Sequence, residues 1–196
     1  MSARATLALL ALLVVLGAAA FFALGPGSPD RAREHAAVFP GLKAGDVSLI
    51  RAARGGAEVV LAREGGSWKL GPAKEPADAA AVEALLAGLV EARVSSVVST
   101  NPRKQSAYET DAEQGIAVRL EGAGGKALAA FIVGKRGPDF ASCYLRREGA
   151  SEVLLVSSDL RLDLSRPAEA WREPPKQAVA PESGGPAPTP PPAAKP

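Results

Sequence analysis

The chain has 196 residues, 23 basic and 21 acidic, for a formal net charge of +2. That balance excludes the global basic footprint of a nucleic-acid binder, and an aromatic content of 5% is too low for a base-stacking surface. The single cysteine excludes an intramolecular disulfide and a cysteine-rich zinc site.

Residues Ala5 to Leu24, ATLALLALLVVLGAAAFFAL, are 20 residues without a charge, the length a helix needs to cross a bilayer. The run reads as an uncleaved anchor that engages the lipid bilayer through residues 5–24. A cleaved signal peptide is the alternative, with Leu7–Leu16 as its apolar segment and Gly17–Ala20 as the small residues. Continuation through Phe21, Phe22 and Leu24 favours the anchor, because a signal peptide gains nothing from it. Arg4 lies on one side of the run and Arg31, Arg33 and Lys43 on the other, so the count of positive residues does not itself direct the C-terminus outward.

Residues 25–38, GPGSPDRAREHAAV, read as a linker that opens with glycine and proline breakers and then turns charged. His35, the only histidine, falls there and reads as a solvated linker residue. The folded region is expected to begin near Phe39. From Asp46 the texture is β: DVSLIRAA, AEVVLARE and SWKL are joined by Gly55-Gly56 and Gly65-Gly66, a hairpin signal that predicts three short antiparallel strands. Asp78 then supplies an N-cap for AAAVEALLAGLVEARV. Val82, Leu85, Leu86, Leu89 and Val90 recur at helical spacing as one apolar stripe. Gly88 weakens this helix by about 1 kcal/mol relative to alanine, so packing of the stripe must carry it.

Residues 99–114, STNPRKQSAYETDAEQ, read as a solvated acidic loop. Glu109, Asp111 and Glu113 alternate there, but the glycine and closing glutamate of a calcium loop are missing. A second β block follows: GIAVRLE, ALAAFIVGK, ASCYLRRE and EVLLVS, then a short helix or turn over Ser158–Leu164. Cys143 reads as a small apolar filler in one of these strands. GAGGKA, residues 122–127, fits a loose dinucleotide pattern, yet a strand follows it where a helix is required, so it reads as a hairpin turn. After Arg172, nine of the 17 prolines fall in EPPKQAVAPESGGPAPTPPPAAKP, a composition that cannot build a core.

The fold class read from this order is α+β: an antiparallel β-meander covered by one amphipathic helix, followed by a second antiparallel β block with a short terminal helix. The chain divides into the anchor or signal peptide at 1–24, the linker at 25–38, the α+β domain at 39–172 and a disordered proline-rich tail at 173–196. Strand alternation puts Trp68 and Leu70 on one face, under the helix that carries Val82, Leu85, Leu86 and Leu89; these six are the core candidates. No catalytic constellation, metal set or cofactor motif is found, and no nucleic-acid or small-molecule cofactor partner is expected.

The segment from Val38 through Val94 resembles the start of the DUF4340 domain, a bacterial envelope family. The resemblance rests on the N-terminal anchor, the FPGL entry, the DVSLI strand, LAREGGSWKL and the PADAAAVEALLAGL helix. FIVGK, CYLRR and EVLLVSSDLRLDL in the second block are similar too, so the resemblance covers residues 37–172. There is one departure: family members often carry a Tyr-Gly-Leu turn before the second block, where this chain has Tyr108, Glu109 and Thr110. The resemblance implies a membrane-tethered, extracytoplasmic, non-enzymatic module accessory to an ABC-type transport or gliding-type system, with transporter subunits as partners. It implies an inner-membrane, single-pass protein whose domain faces the periplasm. A periplasmic glycan- or peptide-binding domain is the alternative, and an enzyme of unrecognised type a third reading.

Overall fold

The computed structural model describes residues 12–15 and 35–174. Leu12–Val15 are helical. The rest of the expected anchor, residues 25–34 of the linker and the tail from 175 onward lie outside the described residues. No helix among the described residues is long and apolar enough to cross a membrane.

The domain is mostly antiparallel β-sheet with a few helices. Its elements are β1 (Val47–Arg54), β2 (Ala57–Glu64), β3 (Ser67–Leu70), β4 (Glu75–Pro76), α1 (Ala79–Glu91), β5 (Val94–Ser99), β6 (Ile116–Gly122), β7 (Ala127–Arg136), β8 (Cys143–Arg147), β9 (Val153–Val156) and α2 (Leu160–Leu164). Both glycines of each Gly-Gly loop have positive φ, from 56° to 85°. That is the requirement of a two-residue turn whose twist matches its strands, and it sets the β1–β2 and β2–β3 registers.

The meander and the second β block are parts of one sheet. All nine strands form one sheet in the order β4-β3-β2-β1-β6-β7-β8-β9-β5. Ile50 on β1 faces Leu61 on one side and Leu120 on the other, so the first strand is central and joins the two halves. The physical reason is that β1 presents backbone groups on both edges, and an unpaired edge inside a sheet is not tolerated. A further strand, β5, stands where the helix was expected to run on into a loop. It closes the far edge by pairing Val94 with Val156 and Val97 with Leu154. The helix stops at Glu91 without a glycine because Arg93 Nη1 donates to the carbonyls of Val90, Glu91 and Ala92.

Asp78 caps α1, its carboxylate accepting from the Ala81 amide at 3.1 Å. The Asp78 amide in turn donates to the Trp171 carbonyl, and Trp171 is buried, so the end of the domain is tied to the start of its main helix. Val82, Leu85, Leu86 and Leu89 are buried in one cluster with Trp68, Leu70, Ile50, Leu61, Leu120, Phe131 and Leu145. Leu160 and Leu164 of α2 join the same cluster. The chain enters the fold earlier than Phe39. His35 donates to Val94 O, Ala37 bridges Arg93, and Val38 donates to Ala92 O, so the last four residues of the 25–38 segment belong to the folded unit.

Residues 99–114 are largely exposed, as expected of a loop, except around Tyr108–Asp111. Tyr108–Asp111 pack on the sheet face opposite the core. Thr110 is fully buried, and its carbonyl accepts from Arg146 Nε at 2.8 Å. Glu109 adopts the left-handed conformation, φ 54° and ψ 33°. Its carboxylate is held by Arg161 at 2.8 Å. Two glycines make the close approach feasible. A methyl group at Gly134 would overlap the Tyr108 carbonyl oxygen, and one at Gly115 would overlap Ile132 Cγ2.

Candidate interaction site

The segment just before β1 builds a groove on the core-facing side of the sheet. Phe39-Pro40-Gly41-Leu42 is a type II turn: proline sits at the second position, Gly41 has φ 81° at the third, and the Leu42 amide donates to Phe39 O at 3.2 Å. The turn is pinned from two directions. The Phe39 ring lies 4.6 Å from Phe131. Arg147, the cross-strand partner of Phe131, donates through Nε and Nη2 to the Val38 carbonyl at 3.1 and 2.8 Å. Between the turn and the β7–β8 pair lies a cleft of about 380 Å³ lined by Phe39, Leu42, Lys43 and Leu128. A second cleft of about 500 Å³ adjoins it, sharing Asp46 and Leu128 in its wall.

The second cleft carries the unusual chemistry. Ser48, Arg63, Gly122 and Lys126 line it together with Asp46. The two-residue Gly65-Gly66 turn places Arg63 directly across from Trp68. The Arg63 guanidinium lies 4.7 Å from the centre of the Trp68 ring, which is only 3% exposed. Trp68 Nε1 is buried and meets no acceptor among the described residues. Arg63 and Lys126 form no ion pair among the described residues, whereas Arg119 pairs with Glu148 and Arg136 with Asp159. Ser48 donates to the Glu121 carbonyl, which fixes its hydroxyl at the cleft wall.

None of the six core candidates lines either cleft: Leu70, Val82, Leu85, Leu86 and Leu89 lie in the core, and Trp68 is connected to the second cleft only through its contact with Arg63. Gly122–Ala127 forms the bend between β6 and β7, with Gly124 and Gly125 at positive φ. Cys143 is fully buried, its thiol donating to Ser158 O, and burial pushes it up to about 12. It is therefore a thiol, not a thiolate, at neutral pH. The reading of the sequence missed Arg63 and Lys126. Arg63 carried a usable signal, because a two-residue loop after Glu64 forces Arg63 and Trp68 onto the same face.

A second cluster lies on the opposite face. Tyr108 and Tyr144 meet with ring centres 4.8 Å apart and planes tilted by 49°, with Lys135 Nζ 5.9 and 6.0 Å from the two rings. Among the described residues, no three histidine, cysteine or acidic side chains are grouped to hold a metal.

A family model described as a domain of unknown function, DUF4340, matches residues 68–182, more than half of the chain. No curated protein and no solved structure matches it.

Proposed function

Since the chain belongs to the DUF4340 domain family, we propose that it is a membrane-anchored, extracytoplasmic, non-enzymatic interaction module that docks a segment of an ABC-type envelope transport or gliding-type system. In this reading residues 5–24 cross the inner membrane once and the domain stands on the periplasmic side. The helix α1 serves as an amphipathic cover that stiffens the meander beneath it. The observation that carries the reading is the position of the groove. Its wall is the turn Phe39–Leu42, only four residues beyond His35, where the chain joins the sheet. Residues 25–34 span at most about 35 Å when fully extended, which keeps the groove within reach of the extracytoplasmic loops of a neighbouring membrane protein.

The half-buried pair Tyr108 and Tyr144 beneath Lys135 is the observation that favours the alternative, a glycan- or peptide-binding domain. Photo-crosslinking in intact membranes separates the two. A crosslinker replacing Leu42 is expected to capture a transporter subunit, and one replacing exposed Ala84 on α1 is not. Equal capture at both positions, or capture only from a probe at Tyr144, overturns the groove as the docking site. The anchor is tested apart from this: the full chain is expected to stay with membranes through alkaline washing. A mature N-terminus near Phe21 would mean a cleaved signal peptide.

A further inference from the structure

Resting on the reading of the groove as a docking site, we infer that its second cleft is a carboxylate-recognition subsite, in which Arg63 and Lys126 receive an aspartate or glutamate side chain of the docked segment. A guanidinium presents parallel N–H groups that match a carboxylate in two-pronged fashion. Arg63 offers such a fork without an ion-pair partner among the described residues. Its guanidinium carbon lies 4.7 Å from the centre of the buried Trp68 ring, a cation–π contact that restrains the side chain, so less freedom is lost when an anion arrives. Lys126 stands across the same cleft as a second unneutralised cation, and Asp46 is the one acid that lines it. Two cations against one acid leave room for a single negative charge.

The same count decides against other anionic partners. A membrane surface or a nucleic acid presents many phosphates, and productive binding recruits an array of lysines and arginines. Here Arg119 is paired with Glu148, Arg147 is held at the Val38 carbonyl, and Lys43, without an ion pair among the described residues, is the one further lysine lining the adjoining cleft, too few for such an array. The adjoining cleft lined by Phe39, Leu42 and Leu128 supplies apolar contact beside the anion. The pairing therefore selects a peptide with an acidic residue flanked by an apolar one.

The test uses the full-length protein in detergent micelles and a pair of acetylated pentapeptides, one with a central glutamate beside leucine and the other with glutamine in its place. NMR signals of the Arg63 Nε–H and Trp68 Nε1–H groups are followed at constant ionic strength. The glutamate peptide is expected to shift both signals saturably, with at least about tenfold higher affinity than the glutamine peptide, since hydrogen bonds to charged groups contribute about 1.5–3 kcal/mol. R63Q should abolish the difference. R63K, which keeps the charge and loses the fork, should recover only part of it. K126Q, a change at an exposed position, should weaken the glutamate peptide severalfold while leaving the folded NMR spectrum intact. Equal affinities for the two peptides, or shifts that never saturate, overturn the subsite. Stronger shifts from phosphatidylglycerol vesicles than from the peptide overturn it in favour of a lipid headgroup. Glutamate selectivity without crosslinking of a transporter at Leu42 would leave the subsite standing and remove the transport reading. Crosslinking without selectivity would do the reverse.

Discussion

Trp68→Ala is the sharpest probe of how the domain is held together. A side chain of this type buries about 150–250 Å², and at about 25 cal/mol per Å² that corresponds to about 4–6 kcal/mol. With only 3% of Trp68 exposed, nearly all of this is at stake. The alanine methyl retains a part and the surroundings relax into the space, so the expected cost is about 3–5 kcal/mol. No hydrogen bond is lost with the ring, because Trp68 Nε1 has no acceptor among the described residues. Trp68→Phe therefore separates shape from polarity. It gives up part of the ring but also removes a buried unpaired N–H, whose burial costs about 1–3 kcal/mol, and should fall within about 1.5 kcal/mol of the parent. Urea unfolding of the full chain, followed by far-ultraviolet circular dichroism, reads both. With a slope of about 2 kcal/mol per molar, Trp68→Ala should move the midpoint down by about 2 M. An unchanged midpoint, or equal losses for the two variants, refutes the assignment of Trp68 to the core.

Gly88→Ala should raise stability by about 1 kcal/mol in the same assay. The added methyl meets Leu160 and Ser158 at 3.8 Å, an ordinary contact, and the helix loses its weakest residue. Gly134→Ala should cost about 1–3 kcal/mol through overpacking against Tyr108 and Thr110. Hydrogen exchange at the Thr110 and Gly115 amides, which donate to Gln105 O and Asp111 O, should accelerate with it. Cys143 should resist iodoacetamide at pH 8 in the native protein and react once urea unfolds it. Its folded thiol is raised from 9.0 to about 12, chiefly by burial, so the unfolded chain ionises first. The contribution of Cys143 is complete below pH 9 and is lost as pH rises toward 12, which an alkaline series of melts would detect.

What could be read from the sequence was local. Each Gly-Gly pair supplies the two positive φ angles that a two-residue hairpin needs, and Asp78 followed by a leucine stripe marks a helix start within four residues. What could not be read depends on partners far along the chain. β5 is a short Val-Ser strand with no turn signal before it, and it becomes a strand because β9 lies beside it. The pairing of β1 with β6 has no local mark at all. Residues 99–114 are polar in composition and mostly exposed, and the burial of Thr110 among them depends on Gly134, whose missing side chain makes room for Tyr108 and Thr110. Arg63 stands between these cases. Its position opposite Trp68 follows from the turn, but its lack of an ion-pair partner appears only when every nearby carboxylate has been placed.

The central place of β1 governs how the chain must assemble. Val47–Arg54 has its hairpin partner at once, but its other neighbour, Ile116–Gly122, arrives about seventy residues later. At about 5–20 residues per second, synthesis leaves that edge open for several seconds. During this interval the β1–β3 hairpins form an exposed ribbon that another copy could extend. Arg51 and Arg54 lie along the waiting strand and discourage such pairing by charge. Cutting the chain between β5 and β6 should thus yield no autonomous half. The first piece would keep an unpaired inner strand, and the second would lack both the strand that flanks β6 and the one that flanks β9.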